Sequence, residues 1–149
     1  MRSIVAVARG MILLGDLGKR TPPMHEQLGE RPCIVVGLPR VIQDPKYAMV
    51  TVLPMSSQLD KYPPGELYPL LLAIETGLPL DSVVLLDQLT TADFRRFRFH
   101  LATLSDAQME PLTEKVVRIL GFESSEDKLE GITLQAAALQ PQPVAQEAS

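Results

Sequence analysis

Proline limits what this chain can fold into more than any other residue type, occupying 13 of its 149 positions. Each one lacks a backbone N–H and holds φ near one value, so it disrupts a helix interior but is accepted at turns and strand starts. A chain so punctuated is biased towards short strands joined by turns. Its length suits one domain with a proper core and is short for two. An apolar fraction of 46% with no Trp is ordinary for a soluble globular protein.

Cys33 is the only cysteine, so an intramolecular disulfide is excluded and the cytosol is the expected compartment. The opening MRSIVAVARGMILL has the look of a signal peptide. Arg9 and Gly10 nevertheless divide its apolar run into pieces too short for a signal core or a membrane span, so it reads as folded structure with no membrane role.

The formal net charge of −4 is unevenly spread. Residues 1–122 carry 13 basic and 13 acidic side chains, and residues 123–149 carry 1 and 5. The body is neutral and compatible with a local basic groove, so net charge leaves a nucleic-acid partner open.

Along the chain, strands are expected at Met11–Leu17, Pro32–Leu38, Tyr47–Pro54, Leu67–Ile74 and Val83–Thr90, followed by the segment FRRFRFHLATL. Pro32–Leu38 is almost continuously apolar, which predicts burial on both faces, with Pro32 as its first residue. The loop between the first two strands is long for a hairpin, and loops of that size are usually functional or disordered. Ser105 with Gln108 three residues on forms a capping-box pattern. It opens a helix whose apolar face holds Met109, Leu112, Val116, Ile119 and Leu120, with Gly121 as its stop and Pro111 expected to kink or delay it. The expected organisation is a small mainly β barrel with a C-terminal helix over residues 1–122, then a disordered acidic and Ala/Gln/Pro-rich tail, 123–149.

Three places could carry chemistry. In FRRFRFH, strand alternation sends Phe97, Phe99 and Leu101 to one side and Arg96, Arg98 and His100 to the other. This makes the phenylalanines core and the cations either a solvated face or part of a phosphate-binding groove with Arg95. His25 and His100 are the only histidines and, with one cysteine, give no zinc spacing. No phosphate-cradling glycine loop, dinucleotide fingerprint or nucleophile elbow is present. The remaining two places are polar junctions at strand ends: Glu26, Gln27, Gly29 and Arg31 before one strand, and PMSSQ, with Ser56, Ser57 and Gln58, after another. If those strands are neighbours, an Arg fork and hydroxyls converge on a site suited to a phosphate diester. Local pairing of Arg31 with Glu26 or Glu30, and serines that simply end a strand, fit the same residues.

The stretch EQLGERPCIVV resembles the EQxGxRPxxVV signature of the MazF/PemK (Kid-like) toxins of bacterial type II toxin–antitoxin systems. PMSSQ falls where that family has P-x-T-[ST], and GLPLDSVVLLDQLTTAD is similar to a third family segment, so the likeness spans roughly residues 9–122. It implies a small SH3-like barrel with a C-terminal helix, also found in topoisomerase-poisoning CcdB-like toxins. It further implies a homodimer, a cognate antitoxin and metal-independent cutting of single-stranded RNA, with no cofactor. By position, Arg31 matches the family's catalytic arginine, and Ser56 stands where a catalytic threonine is usual. Glu26 and Gln27 match loop residues that approach RNA. Glu26 is the first candidate for the general base, and Ser57, Gln58, Arg95, Arg96 and Arg98 are the further candidate RNA contacts. Met11 replaces the acidic residue usual after Gly10. Two other readings of the same barrel are a non-catalytic binder of a protein target, of the topoisomerase-poison type, and a decayed interaction module.

Overall fold

The computed structural model describes residues 2–4, 6–18 and 29–122. The chain divides into one unit over Met1–Lys115 and another over Val116–Ser149. The first is built on antiparallel strands β1 (Arg2–Ser3), β2 (Met11–Asp16), β3 (Glu30–Gly37), β4 (Met49–Ser56), β5 (Leu70–Leu71), β6 (Ser82–Val84), β7 (Thr90–Asp93) and β8 (Phe97–Thr103). They form one curled sheet ordered β1-β8-β2-β3-β4-β6-β5, with β7 also paired to β4. The expected barrel is thus a curled half-barrel. Strand β4 serves two partners along one edge, Met49–Val52 pairing with β7 and Met55–Ser56 with β6.

The centre of β3 is buried on both faces, as its continuous apolar run predicts: Cys33, Ile34 and Val35 are all inaccessible. Cys33 and Val35 join Leu13, Val50, Val52, Ala92 and Phe97 in one core cluster, while Ile34 alternates to the opposite face with Ile12 and Leu53, its partners in register. Burying each such side chain contributes about 1.5–3 kcal/mol, so these three strands are the anchor of the sheet.

Helix α2 (Asp106–Ile119) begins where the capping box places it. The Gln108 amide donates to Ser105 Oγ at 3.2 Å, and the Ser105 amide donates to Gln108 Oε1 at 2.8 Å. Pro111 lies inside the helix without delaying its start. Met109 and Leu112 are buried, and Arg9 donates to the Thr113 hydroxyl. In the second unit the last turn closes through the Leu120 amide on the Val116 carbonyl at 3.0 Å and the Gly121 amide on the Arg118 carbonyl at 2.9 Å. The tail, 123–149, lies outside the described residues.

Two expected strands are shorter in the structure. In Leu67–Ile74 only Leu70–Leu71 is extended, and the chain then turns into a short helix α1 (Ala73–Thr76). Asp81 accepts the Ala73 amide at 2.7 Å, and Glu75 accepts that of Leu72 at 3.4 Å. These local carboxylate bonds compete with a strand ladder for the same N–H groups. Val83–Thr90 divides into β6, a 3-10 turn at Leu86–Gln88 and β7. The FRR portion of FRRFRFH is also not strand: Phe94–Arg96 is a 3-10 turn in which the Asp93 carboxylate accepts the Arg95 amide, and the strand starts only at Phe97. Pro32 is the third residue of β3 rather than the first. It pairs with Leu14 of β2, while pairing to β4 begins one residue later, at Cys33. Its missing N–H therefore falls where β3 has run past its partner.

Candidate active site

The register of three strands sets the site. Cys33 of β3 faces Pro54 of β4, and beyond that pair β4 turns to β6, with Ser56 facing Val83. On the other side Arg31 faces Gly15 of β2, which in turn faces Phe97 of β8. Phe97, Gly15 and Arg31 therefore make one row across the sheet, on the face that carries Leu13, Cys33 and Val35. Gly15 is required in this row. A Cβ there would lie 2.5 Å from two atoms of the Phe97 ring, so the ring occupies the space that any larger residue would need.

Arg31 and Ser56 line one cleft of about 140 Å³, together with Glu30, Pro32, Met55 and Ser57. Arg31 is half-buried, and Ser56 is only 3% exposed. The Ser56 hydroxyl accepts the Gln58 amide at 3.2 Å. A hydroxyl has one donor and two acceptor sites, so this bond leaves its proton for another oxygen. The far wall is the segment from Leu78 to Leu80, together with Ser82. That wall was legible only as a turn in the sequence, and nothing in its composition placed it beside Arg31.

Next to Arg31, the Cys33 thiol donates to the Arg31 carbonyl at 3.5 Å. Burial pushes this thiol up to about 12, against a smaller opposing effect of the Arg31 charge. It is protonated near neutral pH and is not a nucleophile.

The other candidates are distributed differently. Gln58 is exposed at the cleft's outer end of β4. Arg98 pairs with Glu30 across β2, at the irregularity where β8 shifts register against β2. Arg96 donates to the Asp16 carbonyl at 3.3 Å, at the foot of the loop between β2 and β3. Arg95, 88% exposed, folds back on Asp93, with Nε on Oδ1 at 2.9 Å and Nη2 on Oδ2 at 2.8 Å. That bidentate hydrogen bond pushes the Asp93 carboxyl down to about 2. Glu26, Gln27 and His25 lie outside the described residues. His100 is half-buried on β8, its Nε2 2.8 Å from Thr103 Oγ1. Among the described residues no group of three or more His, Cys, Asp and Glu side chains gathers as metal ligands would, and no helix is long and apolar enough to cross a membrane.

Elsewhere in the first unit, Tyr68 donates to Asp87 at 2.8 Å. This bond, more than any other influence, pushes the phenol up to about 12. The Tyr68 ring meets Tyr62 edge-to-face at 5.3 Å, in a second small core with Val83 and Leu85.

The model of the family described as PemK-like, MazF-like toxin of type II toxin–antitoxin system matches residues 8–120. The chain belongs to this toxin family. Its fold is shared with solved members. A MazF from Deinococcus radiodurans is 24% identical over 76% of this chain and 96% of its own, with a TM-score of 0.59. A MazE–MazF complex from the same organism is 25% identical over 80% and 99%, with a TM-score of 0.57. An endoribonuclease in complex with its cognate antitoxin, from a mycobacterial species, is 18% identical over 79% and 98%, with a TM-score of 0.59. No curated protein matches the sequence. Family and fold are therefore those that the EQLGERPCIVV, PMSSQ and GLPLDSVVLLDQ segments imply.

Proposed function

We propose that this toxin is an endoribonuclease that cuts single-stranded RNA through the substrate's own 2′-hydroxyl, leaving a 2′,3′-cyclic phosphate and a 5′-hydroxyl end. The observation that carries this reading is that Arg31 and Ser56 line one cleft, on strands held by the anchored core of the sheet. In this reaction the 2′-oxygen forms a bond to phosphorus, and the bond from phosphorus to the 5′-oxygen breaks. One proton leaves the 2′-hydroxyl, and one reaches the departing 5′-oxygen. Charge accumulates on the non-bridging oxygens of the phosphorane, where preorganised donors have most effect. The Arg31 guanidinium is planar, permanently charged and able to bind two oxygens at once. Its side chain leaves a strand whose next four residues are half to fully buried, so its base is fixed before RNA arrives.

Ser56 supplies a hydroxyl proton to a non-bridging oxygen or to the leaving group, and Ser57 adds a second hydroxyl at the cleft. A guanidinium donates hydrogen bonds and has no acceptor site, so Arg31 is assigned to stabilising charge and not to taking the proton. Glu26 is the proposed base, and Gln27 and Gln58 are proposed RNA contacts. Arg96 and Arg98, beside the β2–β3 loop, extend the positive surface, with Arg95 further away. The antitoxin-bound structures of relatives support an antitoxin partner, and a homodimer is proposed on family grounds.

The deciding experiment incubates purified toxin, freed of antitoxin, with a long single-stranded RNA in EDTA and maps the fragment ends. Discrete cuts with 5′-hydroxyl ends are expected from the wild type and none from Arg31→Ala, with an unchanged thermal melt. Cutting retained by the folded variant would remove Arg31 from the centre of the site.

A further inference from the structure

Leu80 is an apolar side chain that is both exposed and firmly held, at the mouth of the cleft that contains Arg31 and Ser56. It is 60% exposed, while Leu78, two residues earlier, is buried. The segment bearing it is tied at both ends. The Gly77 amide donates to the Ala73 carbonyl at 2.9 Å, and the Leu78 amide donates to Thr76 Oγ1 at 3.1 Å. Asp81 accepts the Ala73 amide at 2.7 Å, and the Ser82 hydroxyl donates to the Leu80 carbonyl at 3.1 Å. Four hydrogen bonds around one turn thus hold a leucine and its neighbour Pro79 in water, beside the groups that face the phosphate.

The chemistry at that phosphate supplies a use for such a prong. Attack by the 2′-oxygen requires that nucleophile, phosphorus and leaving 5′-oxygen lie in line, and a stacked strand does not hold them so. The two bases flanking the cut must come apart. Apolar wedges, leucine and proline among them, unstack base steps in other nucleic-acid complexes, where the unstacking is offset by contact with the wedge. We propose that Leu80, backed by Pro79, is a positioning residue that enters between the two bases flanking the scissile phosphate and keeps them unstacked. This role rests on the ribonuclease reading. It predicts that the protein is least dependent on Leu80 where the step is already weakly stacked.

The test has two parts. An RNA carrying 2-aminopurine on the 3′ side of a mapped cut, with a 2′-deoxyribose on the 5′ side to remove the nucleophile, is titrated with wild type, Leu80→Ala and Leu80→Met. Fluorescence is expected to rise on binding to wild type and Leu80→Met as the base unstacks, and to stay low with bound Leu80→Ala. In parallel, cleavage is followed on ordinary RNA and on the same RNA with an abasic nucleotide 3′ of the cut. Leu80→Ala should lose about 10- to 100-fold in kcat on the first and match wild type on the second. An undiminished fluorescence rise with Leu80→Ala overturns the wedge, as does an equal loss on both substrates, which would mark a merely structural role. Wild type that leaves ordinary RNA intact removes the ribonuclease reading itself. Wild type and Leu80→Ala cutting equally well removes only the wedge.

Discussion

Two arginine-bearing regions of this toxin look alike in sequence and differ in structure. GERPCIVV carries Arg31, and DFRRFRF carries Arg95, Arg96 and Arg98. Arg31 leaves an anchored strand and shares a cleft with the buried Ser56. In the second region, Arg95 is held by Asp93, Arg98 by Glu30 and Arg96 by the Asp16 carbonyl. None of these three lines the cleft that holds Arg31 and Ser56. The number of arginines in a segment is thus a poor guide to which one acts. What sets Arg31 apart is the cleft it shares with a buried hydroxyl.

The largest effect that sharpens this contrast is expected at Arg31 itself. Arg31→Lys keeps the charge but loses the bidentate fork, and kcat should fall about 100-fold. Wild-type turnover by the lysine variant would show that a point charge suffices. Ser56→Ala should reduce kcat by about 10- to 100-fold, and the lost bond to the Gln58 amide should destabilise the fold by about 1 kcal/mol. Rate and chemical denaturation measured on the same preparation separate the two effects. Gly15→Ala sets a methyl group into the Phe97 ring. It should cost about 1–3 kcal/mol, lowering Tm by several degrees, with partial rescue by Phe97→Leu. An unchanged Tm would contradict the close packing of that row.

Smaller effects belong to the second arginine region. Arg31→Ala should flatten the dependence of log affinity on log salt by about 0.7, the value for one phosphate contact on a single strand, whereas Arg95→Ala should leave it nearly unchanged. Equal flattening by both would erase the distinction between the regions. The smallest effect is in pH. Asp93 is held below its usual value of 3.8, at about 2, by Arg95. Its contribution is complete above the usual carboxylate range and is lost as pH falls through about 2. A carboxyl resonance of Asp93 that titrates near 3.8 instead would show that the pair does not form in solution.

Much of this architecture was legible because it rests on local pattern. The unbroken apolar run after Pro32 announced a strand buried on both faces, and Ser105 with Gln108 announced the helix start. The failures share a cause. Leu67–Ile74 has strand-like composition, but Asp81, eight residues beyond Ala73, supplies the bond that starts a helix there. The Phe94–Arg96 turn depends on the Asp93 side chain, which an alternation rule does not weigh. At the site, motif likeness singled out Arg31 and Ser56, but their meeting in one cleft follows from pairing between strands far apart in sequence. The Gly15–Phe97 contact and the Leu80 wall depend on the same long-range register, and no local signal marks them.

The foot of the β2–β3 loop has a consequence for how such toxins diversify. The Leu17 amide donates to the Gly29 carbonyl at 2.9 Å, and the Gly29 amide donates to the Gly18 carbonyl at 2.8 Å. Gly18 and Gly29 both adopt positive φ, 89° and 78°, which side-chain-bearing residues rarely accept. This clasp closes the neck two residues before Arg31, so the geometry of the strand does not depend on what lies beyond the neck. On the ribonuclease reading, positions 19 to 28 other than Glu26 can vary in sequence, and with them the RNA sequence preferred, while Arg31 and Ser56 are held by their strands. Transplanting that segment between relatives that keep both glycines and Glu26 should move the cleavage motif and leave Tm almost untouched.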